Sequence, residues 1–538
     1  MQPLSYDVKA NLTAGLFCLL CLAGRADAKE LPPASLDHAL KEVPIKTLQR
    51  GYLLHKFTIT QVVHWYLDRI DKLNPKFRAL IAVYKEDALR TAAAEDRAYA
   101  SHHGLLWGIP IVVKDNTAIA GKVMTDGWAG YAVKGKSFVP VADASVVRNL
   151  KTAGAIIIGR SNMPDFAKSD TTVSSSFGRT GNSYDANYSP GGSSGGTAVA
   201  VSLNMAVAGQ GTDTGNSIRN PSANNGLVGM LPTRGLISTS GIHPGDWLLD
   251  NTGPITRTVS DSAIMLQAMA SSRIPRAEKG GQSSSQRNFV QALQLGALKG
   301  KRLGVPEFVI DGSPIVRKAP KYFNNGTSPE TRREFFAALK KLQSLGAIIV
   351  LDKHLMPEDF DRVAVTITTA PYRREGIEHF LAQYGPPGMR SIEEYEATTH
   401  THLPIELLTG GIPQKELSAD PKAASHYIGA RNWLIWLYEE TLRRYHLDGL
   451  IYPALQVPPN DERKKLPPDY PSDGPYSATN WINRLGVPAI VVPAGRYRNG
   501  LPFGIEMSAN YWQDAQLLAY AFDFEHAARG RTPPEMAN

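Results

Sequence analysis

The chain has 538 residues, 43% of them hydrophobic and 20% charged, a globular composition that excludes a low-complexity protein and supplies side chains for a large core. Its formal charge of +8 is scattered, with no basic run interleaved with aromatics, so it points to solvated surface and away from a nucleic-acid groove. Both cysteines, Cys18 and Cys21, lie close to the N-terminus, which leaves the rest of the chain without disulfides or cysteine metal ligands.

Residues 1–28 read as a secretory signal peptide. Lys9 sits in a short polar start, 12–22 is an uncharged apolar run, and Ala26-Asp27-Ala28 offers small residues for cleavage after Ala28. The run is short for a bilayer span, and no later segment reaches about 18 consecutive apolar residues, so no membrane anchor is expected. Cys21 follows Leu19-Leu20 and not small residues, which ranks lipid attachment below cleavage. The expected product is exported, periplasmic or secreted, and soluble.

From 58 to 73, Val62, Val63, Tyr66, Leu67 and Ile70 recur at helical spacing behind a capping Thr58 or Thr60, and a second helix is predicted over 86–100. Short apolar runs bounded by Gly and Pro follow at 109–113, 155–158 and 205–208, the last placed before a loop at Gly211, with a helix over 143–153 between the first two. The alternation indicates an α/β layer architecture. Residues 280–285, Gly-Gly-Gln-Ser-Ser-Ser, read as an exposed loop within 271–300. Strands are predicted at 301–310 and 346–351 around a helix at 329–345, and 355–445 reads as mostly helical. Strands at 447–453 and 487–493 and a helix at 513–527 complete the chain, which shows no internal repeat.

Three groups carry chemistry. Ser193 lies in Pro190-Gly191-Gly192-Ser193-Ser194-Gly195-Gly196, and Ser217 stands 24 residues later in Gly211-Thr-Asp-Thr-Gly-Asn-Ser217-Ile-Arg219. Lys114 ends the apolar run from Ile109 and precedes Asp115-Asn116, as if a buried strand delivered an amine to a site. A serine hydroxyl needs a base and an oxyanion acceptor. Successive N–H groups of Thr214, Gly215 and Asn216, in a bend that glycine would permit, are the expected oxyanion hole. A lysine serves as base only when neutral, which the apolar run before Lys114 favours by desolvation.

This arrangement closely resembles the amidase signature family. The resemblance extends to Trp107-Gly108-Ile109-Pro110, Gly159-Arg160-Ser161-Asn162-Met163, Leu231-Pro232-Thr233-Arg234-Gly235, Gly253-Pro254-Ile255-Thr256-Arg257, Asp448-Gly449-Leu450, and Gly486-Val487-Pro488-Ala489. It implies one α/β/α domain around a large mixed sheet over 29–538, with 355–445 as a variable, substrate-shaping region. It further implies Ser217 as nucleophile, Ser193 on a cis peptide as proton relay and Lys114 as ultimate base, giving a hydrolase of linear amide bonds that uses no cofactor. Ser194, Asp213 and Arg219 would support the loop, although the last two read equally well as a surface pair. Among Phe166, Ala167 and Lys168, which follow Asn162-Met163 where relatives line the acyl pocket, Ala167 is the candidate substrate contact. Asn216 departs from the family's usual glycine but keeps its N–H.

Rival readings stay open at this level. Gly191-Gly192-Ser193-Ser194-Gly195 also fits a G-x-S-x-G elbow, which would make Ser193 the nucleophile of an α/β-hydrolase-like esterase; that fold needs a strand directly before the serine. An amidotransferase-type subunit resembles the same family, but export would separate it from tRNA. A binding protein that has lost catalysis is disfavoured because all three positions are filled. His400-Thr401-His402 lacks a third ligand at diagnostic spacing and is assigned no metal. The expected partner is a small-molecule or peptide amide; peptide C-terminal, aryl, fatty and short aliphatic amides and the oligomeric state are left open.

Overall fold

A computed structural model describes residues 33–98, 104–271, 288–312, 326–466, 474 and 477–537. The signal-peptide reading of 1–28, the end of the helix placed over 86–100 and the loop at 280–285 therefore lie outside the described residues. The run Ile109–Lys114 is buried at every position, which is what a strand apolar on both faces requires when sheet neighbours flank it and helices cover it. It forms β2 of an eleven-stranded mixed sheet whose order is β1-β3-β2-β6-β8-β7-β12-β13-β11-β9-β10.

The strands are β1 (Leu80–Val83), β2 (Ile109–Lys114), β3 (Ala155–Ser161), β6 (Ala208–Asp213), β7 (Val228–Leu231), β8 (Asn251–Thr256), β9 (Arg302–Gly304), β10 (Ile348–Val350), β11 (Gly449–Pro453), β12 (Ala489–Arg496) and β13 (Pro502–Ser508). β4 (Val173–Ser174) and β5 (Gly178–Arg179) make a separate antiparallel pair. β2 runs parallel to β3 and β6, whereas β6, β8, β7, β12, β13 and β11 pair antiparallel in succession. The result is a single α/β domain.

Helix Ile59–Phe77 starts at a capping box in which Thr58 Oγ1 accepts from Gln61 N–H and the Gln61 side chain accepts from Thr58 N–H, the reciprocal arrangement that satisfies two otherwise unpaired donors. Helix Val259–Met269 packs on β8, and Asp514–Ala528 packs on β12 and on that helix. Between 355 and 445 lie the helices Phe360–Thr366, Arg373–Tyr384, Ile392–Thr399, Ile405–Thr409 and Ala430–Arg444.

Two strand expectations are corrected. The apolar run 205–208 meets β6 only at Ala208, and the strand is the glycine-rich segment that follows, Ala208–Asp213, so Gly211 is strand and not loop. Flanked by β2 and β8 on its edges, that segment takes its conformation from backbone pairing and not from apolar patterning. Likewise 301–310 is a strand only over Arg302–Gly304 and turns into helix Glu307–Asp311 behind Pro306, a residue suited to the start of a helix and poor within a sheet.

Candidate active site

Helix Gly195–Ser202 is buried at all eight positions and packs against β2, β3 and β6, which brings the glycine-serine segment before it to the C-terminal end of β2. Close approach explains two of its glycines. A Cβ on Gly196 would stand 2.4 Å from Asn162 O and 2.5 Å from Ala79 O, and Gly191, at φ +74°, would press one to 2.4 Å from Asn220 Oδ1. The Gly192–Ser193 peptide is cis.

At that strand end Lys114 Nζ lies 2.7 Å from Ser193 Oγ and 2.8 Å from Thr212 Oγ1. Its backbone N–H donates to Gln210 Oε1 at 3.1 Å, and Asn116 Nδ2 donates to Thr212 Oγ1 at 3.0 Å. The amine is completely buried, and among the described residues its hydrogen-bond partners are hydroxyl and carbonyl oxygens, with no carboxylate in contact. Burial lowers its pKa to about 7, partly opposed by the more distant Asp126, Asp213 and Asp250. Deprotonation at neutral pH is thereby accessible.

Ser217 joins this pair through the backbone: Ser194 N–H donates to Ser217 O at 3.2 Å. Ser194 Oγ donates to Thr212 O at 3.1 Å and accepts from Thr212 N–H at 3.2 Å. Asp213 and Arg219 are fully buried, which removes the surface-pair reading. Asp213 Oδ2 accepts from Ile218 N–H at 2.9 Å and Arg219 Nε at 3.1 Å, and Arg219 Nη2 donates to Gly215 O at 2.6 Å. Burial acts to raise the Asp213 pKa, and Arg219 with the hydrogen bonds overrides it and holds the carboxyl below its usual value.

Between these anchors run Thr214, Gly215, Asn216 and Ser217. Thr214 Oγ1 donates to Asp250 Oδ1 at 2.5 Å, and Asn216 O accepts from Asn220 N–H at 2.7 Å. Neither Gly215 nor Asn216 has a positive φ, so the bend does not use glycine's special freedom and the asparagine requires no left-handed backbone. Ser217 is 7% exposed and Asn216 6%.

Ala167 belongs to the turn Asp165–Ala167 with φ +58°, beside a fully buried Phe166. It is half-buried, and the preceding Phe166 meets the loop's Thr214 across Gly245, where a Cβ would lie 3.2 Å from Thr214 Oγ1 and 3.7 Å from Phe166 O. Lys168 Nζ donates to Gly245 O at 2.7 Å, and burial followed by the Arg373 charge lowers its pKa to about 8. His400 caps the end of helix Ile392–Thr399, and His402 pairs with Glu396 at 2.8 Å.

Several site residues escaped the sequence reading. Gln210 and Thr212 alternate along β6 and both reach Lys114, a period-two signal hidden once the segment was taken as a loop. Glu506, a lone acid in the buried strand β13, accepts from Arg219 Nη1 at 2.7 Å, and Thr479 and Asn483 complete the cage around that guanidinium. Asp250 anchors Thr214, and burial raises its pKa to about 7. The elbow reading of Ser193 fails, because 183–192 contains no strand and only an isolated bridge at Tyr188.

The profile of the Amidase family matches residues 61–518. This chain belongs to the amidase family. It is an enzyme of amide carbon–nitrogen bonds. Among sequence relatives, a glutamyl-tRNA(Gln) amidotransferase subunit of Alkaliphilus metalliredigens is 31% identical over 516 residues, spanning 90% of this amidase and 96% of that protein. The peptide amidase of Stenotrophomonas maltophilia superposes with a TM-score of 0.76 at 28% identity, covering 92% and 99% of the two chains. A 6-aminohexanoate cyclic dimer hydrolase, 21% identical with a TM-score of 0.71, shares the fold.

Proposed function

We propose that this protein is an exported serine amidohydrolase in which Ser217 is the nucleophile, Ser193 the proton relay and Lys114 the base. Neutral Lys114 takes a proton from Ser193 Oγ as Ser193 takes that of Ser217, and Ser217 Oγ adds to the amide carbonyl. N–H groups of Thr214, Gly215 and Asn216 receive the oxyanion, where fixed donors in a desolvated site stabilise developing charge strongly. The proton returns through Ser193 to the leaving nitrogen, the C–N bond breaks, and amine or ammonia departs. Water, deprotonated along the same path, then releases the acid and restores the serine.

The observation that carries this reading is the buried amine 2.7 Å from Ser193 Oγ with its pKa brought to about 7. Ala167 contributes the acyl-side wall. The test is a panel of peptide C-terminal, aryl, fatty and short aliphatic amides, followed by amine release with wild type and Ser217→Ala, together with fluorophosphonate labelling. Wild-type turnover or labelling in Ser217→Ala would overturn the assignment.

The likeness to the tRNA-linked amidotransferase supports a second reading, in which glutamine is the amide and its ammonia passes to a partner. It predicts glutamine hydrolysis that depends on co-purifying proteins, whereas the amidohydrolase acts alone. Export rests on the pattern of residues 1–28. N-terminal sequencing of the protein from fractionated cells decides it: a start at Lys29 outside the cytoplasm supports export, and an intact Met1 chain inside refutes it.

A further inference from the structure

Thr214, whose N–H belongs to the proposed oxyanion loop, is fastened by its side chain to a part of the molecule remote in sequence. Its Oγ1 donates to Asp250 Oδ1 at 2.5 Å. Both oxygens of that carboxylate accept from Asp246 N–H at 3.1 Å, and Asp246 O accepts in return from Asp250 N–H at 2.8 Å. Residues 246–250 thus form one hydrogen-bonded turn to which the loop is hooked.

The turn is held from its other side. The Asp246 carboxylate is buried, and its Oδ2 accepts from Thr369 Oγ1 at 2.7 Å and from Arg373 Nε at 2.9 Å. Its Oδ1 has no hydrogen-bond partner among the described residues, so these two donors are what compensates its burial. Arg373 opens helix Arg373–Tyr384, and the turn meets that helix again: Trp247 Nε1 donates to Tyr372 O at 2.9 Å, and a Cβ on Gly376 would stand 2.6 Å from Trp247 Cδ1. A buried carboxylate that loses its cation must take up a proton or move toward water. Asp246 cannot move without carrying along the N–H that holds Asp250.

The geometry points to Arg373 as a positioning residue for the oxyanion loop, acting through Asp246 and Asp250 on Thr214. This deepens the amidohydrolase reading of the same site and rests on it. The guanidinium fixes Asp246, the turn fixes Asp250, and the Asp250 carboxylate sets where the Thr214 N–H points. A displaced oxyanion donor weakens binding of the transition state and leaves binding of the substrate alone. Loss of Arg373 is therefore felt in kcat and not in KM.

The experiment is a double-mutant cycle on the amide that wild type turns over best, with active sites counted by fluorophosphonate labelling carried to completion. Arg373→Met and Thr214→Val, the second of which cuts the hook but keeps the N–H, are each expected to lower kcat about tenfold to a hundredfold with KM unchanged. The double variant is expected to be no slower than the slower single one, because both changes break the same connection. Arg373→Lys, which returns a cation to Asp246, is expected to recover most of the rate. Losses that multiply in the double variant, a wild-type kcat in Arg373→Met, or an effect confined to KM each overturn the inference. If Arg373→Met fails to fold, Thr369→Val removes the other donor to Asp246 and takes its place in the cycle with the same criteria. Ser217→Ala in parallel separates the two levels: turnover retained there sinks the underlying reading, whereas an inactive Ser217→Ala beside multiplying losses sinks this inference alone.

Discussion

Two cations are buried at the centre of this sheet and are kept in opposite states. Lys114 touches Thr212, and Arg219 touches Asp213, the next residue of β6; side chains of successive strand residues point to opposite faces. On one face the amine's partners among the described residues are hydroxyls and a carbonyl, and desolvation brings its pKa to about 7. On the other, burial would lower the guanidinium's affinity for its proton, but Asp213 and Glu506 reverse that and raise it. The difference is one of counter-ions within reach, and its consequence is that one cation can give up a proton whereas the other serves as a fixed charged post for the loop 214–217.

The sharpest way to break the contrast is Lys114→Arg, which puts a group that stays protonated among hydroxyls. Amide turnover is expected to fall by about a thousandfold or more, and urea unfolding to show a loss of about 3–5 kcal/mol from a buried charge without a partner. Survival of a tenth of the wild-type rate would argue against Lys114 as base. On the opposite face, Arg219→Met leaves Asp213 and Glu506 uncompensated and should likewise cost about 3–5 kcal/mol, with the loop and its fluorophosphonate labelling lost together.

Ser193→Ala interrupts the relay while keeping both cations, and turnover should drop by about a hundred- to ten-thousandfold with an unchanged unfolding midpoint. A smaller effect comes from pH alone. With Lys114 as the proposed base, active as the neutral amine with its pKa lowered to about 7, kcat/KM should rise about tenfold per pH unit below that point and level off above it. A profile flat from about pH 5 to 9 would be incompatible with this base.

The smallest expected effect is on stability, and its sign is opposite to that on activity. The folded pKa of Lys114 is depressed from 10.5 to about 7, so the unfolded chain binds the proton more tightly and the lysine penalises folding at neutral pH. That penalty is complete below the folded value and disappears as pH rises toward the unfolded one. Lys114→Met should therefore be inactive yet more stable, on the order of 1 kcal/mol at pH 7 after the lost hydroxyl contacts, with the gain shrinking at higher pH. A midpoint lower than wild type at pH 7 would show that Lys114 is not held under strain by desolvation.

Lys114, Ser193 and Ser217 were legible in the sequence because each is marked by its neighbours: a wholly apolar strand before the lysine, and glycine-framed serines at a fixed separation. The cage around Arg219 was not, because Glu506, Thr479 and Asn483 come from segments more than 250 residues away along the chain. Nor was β6 itself. Its residues, Ala-Gly-Gln-Gly-Thr-Asp, have little intrinsic strand preference and are made extended by the hydrogen bonds of β2 and β8.

What the amino-acid order determined by itself was the set of local marks around the candidate catalytic residues and the devices beside them: the capping box at Thr58 and the apolar run of β2. Those depend on residues close in sequence, whose spacing fixes which groups share a face. Tertiary structure alone decided the protonation of Lys114 and the fixed charge of Arg219, since both turn on which distant carboxylates come within reach and how completely water is excluded, and neither quantity is local to the chain.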